Sequence, residues 1–188
     1  MTFRLRNGFD IHVSKLQASE YSQVHQLQLS CAPWTTISRN DYQVFVGTEN
    51  SSVSVSQYMG YKAVTNKQRT IGIIIGELIK YNKSSVVLDV AYLLTHKSWR
   101  RQRVADILHR HLLMSCGGIE VHKRLMITSV EDYATQGFLC AQGYHCTKQL
   151  NDHYQDKEGD KTALIYQRDL TKAVERFKPI NRFIVRRS

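Results

Sequence analysis

The apolar positions of this chain alternate between strand-like runs and helical stripes. "FDIHVSKL" predicts a first strand, and "SEYSQVHQLQLSC" a helix capped by Ser19. Along that helix Tyr21, Val24, Leu27 and Cys31 keep helical spacing. "APWTTISRNDYQVFV" holds a proline, a tryptophan and a second short helix from near Ser38. Three apolar runs follow: "SSVSVSQYMGYKAV", "RTIGIIIGELIKY" and "VVLDVAYLLTH". The turns "NKQ" and "YNKSS" separate them, so they predict three successive antiparallel strands.

After Trp99, Val104, Ile107, Leu108 and Leu112 fall on one helical face with His111 beside them, and "CGG" stops the helix. "HKRLMITSV" predicts a strand, "EDYATQGFLCAQG" a helix, and "YHCTKQL" with "KTALIYQRDL" a closing hairpin. The order is β-α-α-β-β-β-α-β-α-β-β, an α/β domain with a mixed, mostly antiparallel twisted sheet flanked by helices. Pro179 marks residues 171–188 as a basic tail on a domain spanning 1–170.

Composition narrows the class. The 42% apolar and 22% charged residues suit a soluble globular chain, and 188 residues suit one domain. No apolar run approaches the roughly 18 residues of a membrane span, and the first residues have no signal-peptide core. An intracellular, cytoplasmic residence is the expectation. Cys31, Cys116, Cys140 and Cys146 form no C-x-x-C pair and are expected to be free thiols. His109 and His111 stand two apart without a completing ligand set, so no metal is expected.

The charge of +10 is concentrated. The tail holds six basic residues against Glu175, and residues 97–110 hold five against Asp106. Such patches suit an anionic partner: RNA, an acidic protein, a membrane surface or a phosphate-rich cofactor. In the tail, Phe177, Ile180, Phe183 and Ile184 interleave with the basic residues, which fits a membrane surface as well as RNA.

"KSWRRQRVADILHRHLL" gives the second patch a sharper meaning. A strand running through a turn into a helix places unpaired N–H groups and the positive end of a dipole together, which suits a phosphate. Arginines at that end disfavour the free helix and become favourable when a pyrophosphate sits there. The segment "RRQRVA" resembles motif A of the GNAT acetyltransferase superfamily, [Q/R]-x-x-G-x-[G/A], with Arg100, Arg103 and Ala105 at its three positions. The closest likeness is to the RimI-like and eukaryotic N-terminal (alpha-amino) acetyltransferases. "CAPWTTISRNDY" resembles their proline-aromatic substrate loop, "DYATQGFLCAQGYH" their N-x-x-A-x-x-x-Y-x-x-x-G-F pattern, and "NDHYQDKEGDKTALIY" their tyrosine-bearing hairpin.

The resemblance implies a GNAT-like fold and acetyl-CoA as co-substrate. It places the cofactor on Arg100, Arg101, Gln102, Arg103, Val104 and Ala105, along Leu93, Leu94 and Thr95, and near Asp132. It places the substrate at Pro33, Trp34 and Tyr154. The chain departs from the pattern where Arg103 replaces a glycine, Asp132 an asparagine, Leu139 the proton-donating tyrosine, and Ile127 the glutamate or histidine used as base. Asp89, a lone carboxylate in an apolar strand, is therefore the candidate base, or else a strand aspartate meeting a lysine or solvent. Tyr92 is a candidate proton donor, as is Tyr133, and either could equally be a packing residue.

Two functions follow. One is transfer of acetyl from acetyl-CoA to an amine, at a protein N-terminus or a lysine. The other is a degenerate GNAT-fold subunit that binds RNA or protein in a larger assembly.

Overall fold

A computed structural model of the chain describes residues 1–32, 37–47, 56–82, 85–156 and 159–170, without the side chains of residues 56, 81, 82, 85, 152, 154–156 and 159–161. The basic tail, 171–188, and the Pro33–Trp34 loop lie outside the described residues.

Strands β1 (Thr2–Arg4) and β2 (Asp10–Lys15) are followed by helices α1 (Tyr21–Cys31) and α2 (Arg39–Gly47). Then come β3 (Ser56–Thr65), β4 (Thr70–Asn82) and β5 (Ser85–Thr95). Helix α3 (Val104–Ser115), β6 (Val121–Ser129), α4 (Tyr133–Ala141), β7 (His145–Asp156) and β8 (Gly159–Asp169) complete the order. These strands form one sheet in the order β1-β2-β3-β4-β5-β6-β8-β7, antiparallel except where β5 meets β6. This is the GNAT-like α/β architecture expected.

Two local expectations are corrected. The chain begins with β1, paired Phe3 to Ile11, a three-residue strand too short, with Arg4 in it and the polar "RNG" soon after, to show a periodicity. Ser19 does not cap α1; it sits inside a one-turn 3-10 helix, Ala18–Glu20, whose capping box is made by Gln17 and Glu20. At α2 the hydroxyl of Ser38 accepts from the backbone N–H of Asp41, as a helix start requires.

The core is divided by the central strand. One face of β4 gives Ile74 and Leu78 to a cluster with Ile107, Leu108 and Leu112 of α3 and Leu139 of α4. The other gives Ile73 and Ile75 to a cluster with Val24 and Leu27 of α1 and Tyr42 of α2. A strand covered on both sides reads as an unbroken apolar run, which is why "IGIIIG" shows no alternation. Its two glycines set the depth of α3. A Cβ at Gly72 would stand 2.9 Å from Val104 Cγ1, and one at Gly76 would stand 2.8 Å from Leu112 Cδ2.

Candidate active site

The fold opens where its parallel pairing ends. β5 and β6 run side by side from Val86↔Val121 to Asp89↔Leu125, and among the described residues no pairing continues beyond. Past that point β5 stays paired to β4 and β6 to β8, so their facing edges diverge with backbone N–H and C=O groups unclaimed by a ladder. A bulge between Tyr92 and Val90 on β5 strengthens the divergence. The resulting cleft has a volume of about 350 Å³. Asp89, Tyr92, Leu93 and Leu94 line it from β5, Ile127 from β6, and Asp132 and Thr135 from the start of α4.

Among the described residues Asp89 makes no ion pair with a lysine. Its direct cross-strand partner is Glu77, which lines the same cleft, so two carboxylates stand side by side on one face of the sheet. Burial, and then the negative charge of Glu77, push the Asp89 carboxyl up to about 6. Glu77 is the functional candidate that sequence reasoning missed. The visible signal was its near-symmetric placement with Asp89 about the "NKSS" turn, each being the sole carboxylate of its strand.

Tyr92 sits against Phe45 of α2, ring centroids 5.8 Å apart, and Phe45 also meets Tyr58 at 5.1 Å. Burial, and then the charge of Asp41, raise the Tyr92 phenol above its ordinary value, so it stays protonated through the neutral range. Phe45 and His153 line the cleft and were not anticipated. Tyr154 lies in β7 in register with Lys161, its side chain outside the described part. Tyr133, at the head of α4, is 77% exposed.

Asp132 caps α4, accepting from the Thr135 backbone N–H at 3.1 Å and from the Thr135 hydroxyl at 2.6 Å. Leu139, where the resembled pattern has a tyrosine, is fully buried in the core with α3. Ile127 stays on the cleft wall, half-buried and without a titratable group.

Beyond Thr95 the chain makes a 3-10 turn, Lys97–Trp99, and then the basic turn into α3. Arg101 and Arg103 both adopt left-handed backbone, with φ of 60° and 72°, a conformation that favours glycine. Arg103 thus keeps the backbone shape of the glycine it replaces. Its side chain does not crowd the turn, because the guanidinium is drawn to Asp106 Oδ2 at 2.9 Å. The other oxygen of Asp106 takes Arg110 at 2.9 Å. The first helical backbone bond at this end runs from the Ile107 N–H to the Arg103 carbonyl, which leaves the N–H groups of Val104, Ala105 and Asp106 for an outside acceptor. Val104 is buried and anchors the turn, while Arg100 and Arg101 are exposed and Gln102 is half-buried. These donors suit the pyrophosphate of an acyl-CoA. Among the described residues no group of His, Cys, Asp or Glu could hold a metal ion.

No family model matches the chain. No curated protein matches its sequence. Solved structures do match in fold. Arabidopsis thaliana NAA60, in complex with a bisubstrate analogue, superposes with a TM-score of 0.72 at 12% identity, over 86% of this chain and 98% of that one. The ribosomal-protein-S18-alanine N-acetyltransferase from Escherichia coli gives 0.67 at 13% identity, over 89% and 99%. Naa20 from Chaetomium thermophilum, in complex with a bisubstrate analogue, gives 0.72 at 14% identity, over 88% and 90%. At these identities the likeness is one of fold.

Proposed function

We propose that the protein is an acetyl-CoA-dependent N-acetyltransferase acting on a primary amine, at a protein N-terminus or a lysine. The observation that carries this reading is the fork itself: a parallel pair that parts at Asp89, followed by a helix start with outward N–H groups. The fold of the solved acetyltransferases supports it. Acetyl-CoA supplies the activated acyl carbon.

The residues of the chain do the rest. Val104, Ala105 and Asp106 offer backbone donors to the pyrophosphate, and Leu93, Leu94 and Thr95 offer the open edge of β5 to the pantetheine arm. Asp89, with its carboxyl near 6, accepts a proton from the incoming ammonium, leaving a neutral amine lone pair to attack. As the new C–N bond forms and the C–S bond breaks, the departing thiolate takes a proton from the Tyr92 phenol, and the phenolate regains one from the nitrogen as it becomes an amide. Holding amine and thioester together provides much of the acceleration, so the absence of a tyrosine at Leu139 is tolerable.

Calorimetric titration of acetyl-CoA tests the reading. Binding should be saturable, weaken with salt, and weaken by about tenfold or more in Ala105→Glu, whose carboxylate would face the pyrophosphate. No heat at millimolar acetyl-CoA would remove the proposal.

A further inference from the structure

A second cleft, of about 280 Å³, lies between α1 and the β3–β4 turn at the far end of β5 from the carboxylate pair. Arg69, Thr70 and His96 line it together with Gln23, Gln26 and Ser30 of α1, and none of its lining residues is a carboxylate. Its centre is His96. The backbone N–H of Ser98 points at His96 Nδ1 from 3.3 Å, and Arg69 Nη2 stands 3.1 Å from His96 Nε2. Both neighbours are donors.

A neutral imidazole has one N–H and one lone pair, so it cannot accept at both nitrogens. Charging the ring makes both nitrogens donors and worsens the conflict, and burial, Arg69 and Lys97 all hold the His96 pKa below its ordinary value. The Ser98 N–H is fixed by the 3-10 turn that follows, whereas the Arg69 side chain can turn about its own bonds. One of the two N–H groups therefore lacks a lone pair on the ring, and with Ser98 held at Nδ1 the proton falls on Nε2. That leaves an imidazole N–H and a guanidinium N–H facing each other at 3.1 Å, an arrangement resolved by an acceptor that takes a bond from each.

The surroundings agree. Arg69 makes no ion pair with a carboxylate among the described residues. It is carried by a turn closed by Gln68 N–H to Thr65 O at 2.8 Å and Thr65 N–H to Arg69 O at 3.0 Å. Gln68 adopts left-handed backbone there, φ 59°. The Thr70 hydroxyl donates to Gln23 Oε1 at 3.1 Å, which leaves the Gln23 amide nitrogen as a further donor beside the cleft. We infer that this cleft binds a phosphate-type oxyanion between Arg69 and His96, with donors converging from α1, the β3–β4 turn and the end of β5. The inference does not depend on the acetyl-transfer reading.

His96 reports on its own ligand. Followed by NMR in the full chain in phosphate-free buffer, its ring should titrate below the ordinary histidine range. Inorganic phosphate should shift its resonances saturably and raise its pKa by about one unit, because a bound dianion offsets the neighbouring cations. Arg69→Gln, on an exposed turn, should weaken that response about tenfold or more while the other histidines are unmoved. Adenosine 3′,5′-bisphosphate separates two sources of the same chemistry. Tighter binding than phosphate, with the His96 shift, supports the site and assigns it to a nucleotide phosphate ester; equal or weaker binding with that shift supports it and assigns it to free phosphate. A His96 resonance unmoved by 50 mM phosphate, or a shift that survives Arg69→Gln undiminished, overturns the inference.

Discussion

The two ends of the β5–β6 fork carry opposite charge. Where the strands part, Asp89 faces Glu77, two carboxylates opposed on one face of the sheet. Beyond the fork's open end stand Arg100, Arg101 and Arg103, in a turn with two left-handed arginines. On the proposed reading, peptide groups of the turn hold the ligand, so its side chains can change while the shape is kept. In the cleft, the proposed reaction would have side chains move protons, so there the residue types themselves matter.

The largest expected effect tests the acidic end alone. Asp89→Asn should lower turnover of any acetylated amine by about a hundredfold or more, the scale of losing a general base, with acetyl-CoA affinity unchanged. Turnover within a few-fold of wild type across the pH range would take Asp89 out of the chemistry.

The next effect reaches the basic end through the core. Gly72→Ala would place a methyl group 3.0 Å from the Leu94 carbonyl oxygen and 2.9 Å from Val104 Cγ1, the first residue of α3. A backbone carbonyl cannot move aside cheaply, so the helix start must shift. Destabilisation of about 1–3 kcal/mol is expected in denaturant unfolding, with weaker acetyl-CoA binding alongside. A destabilised variant with undiminished affinity would show that the turn does not depend on where α3 sits.

Asp89 also links stability to pH. Its carboxyl is raised from 3.8 to about 6 in the folded chain, so between those values the folded state holds more proton than the unfolded state. Stability therefore rises as pH falls through 6 toward 4, and is lost above 6. An amide in place of the carboxylate carries no such charge. Asp89→Asn should gain on the order of 2 kcal/mol over wild type at pH 8, a gain that shrinks steadily to pH 4. A pH-independent difference would mean that the carboxylate is not held by burial and Glu77.

Much of this was legible in the sequence, for identifiable reasons. Apart from β1, the strand and helix order follows from periodicity, and the basic residues ahead of α3 mark the turn proposed to hold phosphate. Thiols were expected free, and Cys31, Cys116, Cys140 and Cys146 are. The Glu77–Asp89 pair was hidden because cross-strand register depends on an irregularity at Lys80/Asn82 that no local pattern announces. His153 and Phe45 reach the cleft from elements distant in sequence. The crowding expected of Arg103 assumed a side chain over the turn; the nearby Asp106, three residues on, takes it instead.

Arg103 supplies the smallest effect and the finest test of the comparison. Its left-handed backbone is disfavoured for a residue with a Cβ by roughly 1–2 kcal/mol, and glycine removes that strain. Two terms oppose the gain. Glycine frees the unfolded chain, by up to about 1 kcal/mol, and the partly exposed ion pair to Asp106 is lost, at a fraction of a kcal/mol. Arg103→Gly should therefore leave stability within about 1 kcal/mol of wild type. Affinity for acetyl-CoA separates two roles for the residue. If backbone N–H groups hold the pyrophosphate, the glycine variant binds as well as wild type, and its salt dependence is little changed because Asp106 already occupies the guanidinium. If Arg103 itself grips the phosphate, affinity falls about tenfold, most clearly at low salt. The geometry favours the first outcome, since the guanidinium is turned along the helix toward Asp106.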